Sequence, residues 1–574
     1  MMGDARWLLA YAAYLSFAAS GDFHACGEPS GCKINHGRLA EAEDSLENPL
    51  QLLQRSLMLK LAPSDSEVAT FMWLTDAHID PYYMSTERQC QKKDLAKVRQ
   101  NLFGVIGCDP PPSLLYSVLE GAAAWAAAAG NASFTLFTGD FARHDLSDVE
   151  QPWENVSEII ENVSKLTREF FPNTPMAVGA LGNDDNPCDY CEEVTTNKSV
   201  NPWFSHVGSK IHEASCMTNP TLQMYKYGSF FETQLGNLTI LSIATVIYSV
   251  YHVPDSQEDD PFGQFAWLRR KLAEAVGLKR RVWIVGHIPP GIETFGYTEL
   301  WRPQYVMKYL NIVQDVDLGH VIAAQLFGHV HKDEFRLLPN PPPGAGPIIL
   351  SASISPVYYN NPSFKLVQYN RTSGQIMNFK AVYASMEVGG QPLQWKFGYD
   401  LLQTYTELQK SEITMAATAR ISQALLAGSD VYDKYARWYS ADYPNDLQHY
   451  SAAAPESEAN ASFKYGKRRQ YVCAMTIQTA AQYQDCIGST LGSSGHPAPL
   501  EAATEMERLL LGRLLSWAVA SNSPSAKIVL DIAAAGGWKK LLEVFGDALE
   551  ESLESGKPLE GLLSSTLSSL GSLK

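Results

Sequence analysis

The stretch VATFMWLTDAH, residues 68–78, runs seven residues of largely apolar, β-prone sequence straight into Asp76-Ala77-His78. Read alone, this is a buried strand that stops at a polar turn. The same phrase recurs down the chain. FTLFTGD (134–140) is followed closely by Arg143-His144-Asp145, MAVGALGN (176–183) by Asp184-Asp185, and VWIVGH (282–287) and VIAAQLFGHVH (321–331) end in histidines. Further short apolar runs lie at 238–245 and 348–350. Helical stretches such as Leu114–Ala129 and Gln264–Val276 fall between them. Strands of this kind alternating with helices predict an α/β fold whose sheet is covered on both faces. Strand-like Phe364–Tyr369 and Ile376–Tyr383 are expected to close it.

The polar breaks carry the chemistry. Five strand ends deliver Asp76, His78, Asp140, Asn183, His287, His329 and His331. In α/β sheets ligands bind where parallel strands end. A mixture of imidazole and carboxylate suits borderline divalent metals. Glycines beside the ligands let the backbone turn and approach an ion closely. A single Asp-x-His or Gly-Asp is usually only a turn. It is the ordered set, each member after an apolar strand, that points to a metal centre.

These blocks resemble those of calcineurin-like metallophosphoesterases over residues 67–385. Within that superfamily Gly139-Asp140-x-x-x-His144-Asp145, Gly286-His287-Ile288-Pro289-Pro290-Gly291, Pro392-Leu393-Gln394-Trp395-Lys396, Gln403-Thr404-Tyr405 and the Cys473 to Cys486 segment resemble acid sphingomyelinase-like phosphodiesterases. The resemblance implies a four-layer α/β/β/α sandwich followed by a smaller helical C-terminal domain, 386–487. It implies two divalent metal ions, zinc in this family. Asp76, His78 and His331 would hold one, Asn183, His287 and His329 the other, and Asp140 would bridge them. It further implies in-line attack on phosphorus by a hydroxide between the ions, with a proton supplied to the leaving oxygen. His144 matches a family histidine near the site and is the first candidate for that acid. Asp184 stands where the family usually has histidine, which makes it a second candidate. The implied reaction is hydrolysis of a small phosphodiester or phosphoanhydride, in a nucleotide or a sphingomyelin-like phospholipid head group.

Two features separate the chain from the commonest pattern. Gly-Asn-x-Asp at 182–185 and Arg143-His144-Asp145 also resemble vacuolar endopolyphosphatases, which makes polyphosphate hydrolysis the alternative reading. A metal-binding pseudoenzyme ranks third, because it rests on Asp184 alone while all seven ligand positions are intact. Residues 21–66 offer only Cys26 and Cys32, too few for the six-cysteine saposin-like domain of full acid sphingomyelinases.

Composition sets the surroundings. Of 574 residues, 45% are hydrophobic and 19% charged, which is ordinary for globular domains. The net charge of −17 repels polyanions at long range and argues against a nucleic-acid scaffold. Arg6, the apolar run Trp7–Ala19 and the small residues before Gly21 predict a secretory signal peptide over 1–20. Residues 21–66 read as a linker or pro-segment. The nine cysteines fall into close pairs, Cys26/Cys32, Cys90/Cys108, Cys188/Cys191 and Cys473/Cys486, with Cys216 left over. With sequons at Asn131, Asn155, Asn162, Asn197, Asn237, Asn370 and Asn460, they predict a disulfide-bonded glycoprotein of the secretory pathway, extracellular or in a lysosome or vacuole lumen. No run reaches the roughly 18 apolar residues of a membrane span. Residues 390–487 read as helical. The helices expected after residue 488 are candidates for peripheral membrane contact, with core packing or a propeptide favoured. The sequence does not specify an oligomeric state.

Overall fold

The structure is a computed structural model. It describes residues 67–83, 101–146 and 151–488, apart from 173, 195–199, 216, 255–257, 387–392, 406–407, 409–412, 429 and 451–457. The signal peptide expected over 1–20, the 21–66 segment and the helices expected beyond 488 lie outside the described residues.

The strands are β1 (Val68–Leu74), β2 (Thr135–Phe137), β3 (Met176–Val178), β4 (Phe231–Leu235), β5 (Leu238–Ser242), β6 (Arg281–Val285), β7 (Ile322–Phe327), β8 (Glu334–Arg336), β9 (Ile348–Leu350), β10 (Ser363–Asn370), β11 (Ile376–Tyr383) and β12 (Lys396–Asp400). The helices are α1 (Pro112–Ala128), α2 (Pro152–Phe170), α3 (Pro202–Ser215), α4 (Asn219–Gly228), α5 (Gln264–Gly277), α6 (Pro303–Val313), α7 (Leu401–Thr404), α8 (Met415–Ala427), α9 (Asp430–Tyr439), α10 (Glu458–Met475) and α11 (Ala480–Gly488). Among the described residues the strands form two six-stranded sheets, β12-β11-β10-β1-β2-β3 and β4-β5-β6-β7-β9-β8. In the first, β1, β2 and β3 run parallel and β10 joins β1 antiparallel. In the second, β5, β6, β7 and β9 run parallel between two antiparallel edges.

Side chains alternate across a strand, so β1 feeds two cores at once. Phe71 and Trp73 face the space between the sheets, with Phe134 and Leu136 from the first sheet and Trp283, Val285 and Leu326 from the second. Phe71 stacks on Phe134 at 4.7 Å. Met72 and Leu74 face the other way, onto the core that α1 and α2 cover. The second sheet does the same with Ile284 under α5 and α6. The result is the α/β/β/α sandwich expected. Both faces of each central strand are buried, which is why these strands read as continuous apolar runs.

The stretch read as helical from 390 departs from expectation at its start. Lys396–Asp400 is a strand that extends the first sheet beside β11, pairing Lys380 with Asp400 and Val382 with Phe397. Its run of Lys, Phe, Gly, Tyr and Asp has no clear period, and the pairing comes from β11. Asp400 then caps α7 through Gln403 N–H at 3.2 Å. Trp395, just before β12, donates to Ser117 Oγ on α1 at 3.1 Å. After α10 the chain returns to the end of β8, where Leu337 N–H donates to Met475 O and Ile477 N–H to Leu337 O. The Cys473–Cys486 disulfide ties α10 to α11. No described helix is long and apolar enough to cross a membrane.

Candidate dinuclear metal centre

The C-terminal ends of β1, β2, β3, β6 and β7 carry the five sequence blocks, and the loops that leave them are tightly turned. Asp76, His78, Asp140, His329 and His331 all have positive φ, between 44° and 71°. Such backbone costs free energy in non-glycine residues and concentrates at functional sites. Gly182 shows how close the loops lie: a Cβ there would overlap the Asp140 carboxylate. Asp185 organises the approach. Its two oxygens accept the backbone N–H groups of Asp140 (2.8 Å), Phe141 (2.7 Å), Ala142 (3.1 Å) and Gly182 (2.9 Å). The loops after β2 and β3 are thereby held together by one buried carboxylate.

Asp76, His78, Asp140, Asn183, His287 and His331 are buried, and His329 is partly buried. Among the described residues three groupings could each hold a metal ion: Asp76, His78, Asp140 and His331; Asp140, His287 and His329; and His78, His144 and Asp184. The first two have Asp140 in common, and the third meets the first at His78. One oxygen of Asp140, Oδ2, lies 3.3 Å from His78 Nε2 and 3.0 Å from His287 Nε2. His78 Nε2 and His331 Nε2 point at each other at 3.0 Å, and His331 Nε2 lies 3.6 Å from Asp76 Oδ1. Backbone groups fix these directions. His329 N–H donates to Asp76 Oδ1 at 2.8 Å, Asp184 N–H to Asp140 Oδ1 at 3.0 Å, and His287 Nδ1–H to Thr138 O at 2.7 Å. That last bond leaves the His287 Nε2 lone pair free to face inward, as metal-binding histidines require.

The donor set fits divalent ions. Asn183 Oδ1 is buried without a hydrogen-bond partner among the described residues, and His287 Nε2, with the Nδ1 proton engaged by Thr138 O, faces another acceptor, Asp140 Oδ2. Buried acceptors left this way are costly unless a cation takes their lone pairs. Burial pushes Asp76 up to about 6, with the Asp140 charge adding. Burial also acts to raise Asp140, but His287 and His78 outweigh it and hold that carboxylate well below its usual range.

Beside these side chains lies a second group. His144 stacks on His78 with ring centroids 4.2 Å apart. Its Nδ1 donates to Asp109 at 3.0 Å, and its backbone N–H donates to the same carboxylate at 3.1 Å. Its Nε2 faces the Tyr358 hydroxyl at 3.1 Å and Asp184 Oδ2 at 3.5 Å. Burial would lower the pKa of His144, but Asp109 and then Asp184 hold it well above the ordinary histidine value. Burial pushes Asp184 well above the carboxylate range, opposed by His144 and aided by Asp140. Lys332 anchors the segment bearing Tyr358, its Nζ donating to Tyr358 O at 2.7 Å and Ser440 Oγ at 3.1 Å.

Asp76, His78, Asp140, His144, Asp184, His287, His329 and His331, all named from the sequence, therefore fall in one cluster. Asn183 lies beside it, its Nδ2 donating to Asp184 at 2.9 Å. Sequence reasoning missed Asp109, Asp189 and Tyr358. Asp109 follows no strand and sits between Cys108 and a proline run, so no spacing pointed to it. Asp185 was visible, but its turn toward the backbone was not. The Cys188–Cys191 and Cys473–Cys486 pairs are disulfides, and Cys108 is also disulfide-bonded. Cys26, Cys32, Cys90 and Cys216 lie outside the described residues.

No protein-family model matches the chain. Sphingomyelinase phosphodiesterase D of Dictyostelium discoideum is 29% identical over 356 residues, covering 60% of this chain and 77% of that protein. Cyclic GMP-AMP phosphodiesterase SMPDL3A of Mus musculus is 25% identical over 461 residues, covering 75% of this chain and 95% of that protein. Acid sphingomyelinase-like phosphodiesterase 3b of Homo sapiens is 28% identical over 372 residues, covering 59% of this chain and 76% of that protein. Among solved structures, a dimetal phosphatase from Danio rerio aligns over 57% of this chain and 98% of its own, at 11% identity and a TM-score of 0.34.

Proposed function

We propose that this chain, a homologue of the acid sphingomyelinase-like phosphodiesterases, is a metal-dependent phosphodiester hydrolase of an oxidising, glycosylating lumen. Its substrates are small diesters, of the nucleotide or the phosphocholine head-group kind. The observation that carries this reading is the convergence of buried histidine, carboxylate and carboxamide acceptors at five strand ends, beside a histidine held by its own carboxylate. The relatives named above act, by their names, on sphingomyelin and on cyclic GMP-AMP, two different diesters.

Asp76, His78 and His331 would hold one ion, Asn183, His287 and His329 the other, with Asp140 shared. The ions, zinc in our reading, supply Lewis-acid polarisation of the phosphoryl oxygens and ease deprotonation of the attacking water. This chain's own side chains do the rest. Asp109 holds Nδ1 of His144, so the ring presents Nε2 to the leaving oxygen and keeps a proton there for it. The Asp184 carboxyl and the Tyr358 hydroxyl flank that atom and restrict where a leaving group can sit. Disulfides support the lumenal assignment. Exposed sequon residues Asn131 and Asn237 support it too.

Polyphosphate hydrolysis is the weaker reading. The aspartate of its Gly-Asn-x-Asp pattern, Asp185, is occupied with four backbone N–H groups, a loop-holding task that does not itself call for a polyphosphate substrate. The test is a panel of chromogenic diester, sphingomyelin vesicles, cyclic GMP-AMP and polyphosphate, at pH 5 and 7, on the full chain with measured metal content. Turnover of diesters that a chelator abolishes, with polyphosphate length unchanged, is the expected result. Shortened polyphosphate with intact diesters selects the alternative. Two bound ions with no turnover of any substrate would mean a pseudoenzyme.

A further inference from the structure

Five residues after Asn183, the chain closes a four-residue ring through the Cys188–Cys191 disulfide. Asp189, exposed inside that ring, has φ 61°, and its Oδ1 accepts a hydrogen bond from Asn183 Nδ2 at 3.0 Å. The same Nδ2 also donates to Asp184 Oδ2 at 2.9 Å. With both amide hydrogens engaged, Asn183 Oδ1 is left buried and without a hydrogen-bond partner among the described residues. That is the atom an ion would take. The next residue, Tyr190, sets its ring perpendicular to His329, with centroids 6.4 Å apart. Tyr251 backs that ring at 5.5 Å, and Tyr190 O accepts Val253 N–H at 2.8 Å. One short ring thus contacts two of the three unshared side chains assigned to one ion. Its hydrogen bonds and ring contacts reach none of Asp76, His78 and His331 among the described residues.

We infer that the Cys188–Cys191 ring is a positioning clip for the ion held by Asn183, His287 and His329, acting through Asp189 and Tyr190, and that opening it weakens that ion selectively. The inference rests on the dinuclear reading proposed above. Its physical basis is that groups orienting a ligand set its affinity: losing such a partner typically weakens metal binding by about 10–100-fold. A cross-link across three peptide units restricts the conformations open to Asp189, so its carboxylate stays within reach of the Asn183 amide. Without it, the amide is free to rotate and present a hydrogen to the ion instead of an oxygen.

The test measures metal per chain and two dissociation constants for Zn²⁺, by chelator competition on the full-length oxidised protein, with thermal melts alongside. Wild type is expected to hold two ions. Asp189→Ala should keep one at wild-type affinity and bind the other roughly 10–100-fold more weakly. Asp189→Asn retains an acceptor oxygen toward Asn183 and should restore most of that loss, which a merely structural role would not predict. Cys188→Ser with Cys191→Ser should follow Asp189→Ala. Cys473→Ser with Cys486→Ser should lower the melting temperature without changing the ratio of the two affinities. Unchanged affinities in Asp189→Ala, or equal weakening of both ions, overturns the clip. A wild-type chain that never holds more than one ion overturns the dinuclear reading itself, before any variant is compared.

Discussion

Asp185 accepts four backbone N–H groups with two oxygens, and an amide in its place could offer only one acceptor oxygen. Asp185→Asn should therefore strand buried donors from the loops after β2 and β3. Hydrogen bonds to charged groups contribute about 1.5–3 kcal/mol each, so a loss of about 3 kcal/mol is expected in denaturant unfolding. A stability within experimental error of wild type would show that water replaces those bonds. Asp140 makes a different demand, since Oδ2 faces a histidine from each ligand group. Asp140→Asn should lose metal and activity together, because one neutral amide cannot balance two dications. Two retained ions with near-normal turnover would remove Asp140 from the bridging position. His144 touches the site without being among the seven proposed ligands, and Asp109 holds it from behind. His144→Ala should keep its metal while its rate falls by roughly 10²–10⁴. An unchanged rate at full metal content would assign the proton elsewhere.

At the scale of elements, what could be read in the sequence followed burial. β1, β7 and β9 are buried on both faces and announced themselves as apolar runs with nearly the observed ends. β4 and β12 lie at sheet edges, with only one and two of their five residues fully buried, and no period marks them. β8 is three residues long and carries the buried pair Glu334 and Arg336, which reads as surface until the partners are known. Trp395 makes the case for context most sharply. As sequence it was only part of a resemblance. In the fold it seats against Gly121 of α1, donates to Ser117, and meets Phe364 at 5.2 Å. A Cβ on Gly121 would come within 2.5 Å of the Trp395 ring. Helix propensity favours alanine over glycine by about 1 kcal/mol. Overpacking a tight contact costs about 1–3 kcal/mol. Gly121→Ala should thus destabilise the protein overall, as read by its urea midpoint. A raised midpoint would mean that Trp395 can withdraw from α1 at no cost.

At the scale of the whole molecule, the cluster of candidate ligands was legible because each member follows a strand, and two stacked sheets bring all five strand ends to one place. Asp109 and Tyr358 were not, because they reach the centre through loops whose paths depend on contacts far away in sequence. Glu192 belongs with these, and it ties stability to the proposed compartment. It is buried just past the disulfide ring, with Oε1 accepting from Asn186 at 3.4 Å. Burial, with the Asp185 charge adding, pushes its carboxyl up to about 8 from an ordinary 4.5. Between those values the native chain holds a proton that the unfolded chain has released. Unfolding then releases protons, so stability falls as pH rises. The contribution is fully present below about 4.5 and lost as pH climbs through about 8. A protein built this way is favoured by an acidified lumen over a neutral one. Glu192→Gln keeps the shape and has no proton to lose, so its melting temperature at pH 7.5 should exceed that of wild type. The gap should close toward pH 4.5. Taking the difference between the two proteins at equal metal loading cancels the separate effect of pH on the histidine ligands. Two melting curves that stay parallel from pH 4.5 to 8 would show that Glu192 titrates in the native state as it does in water.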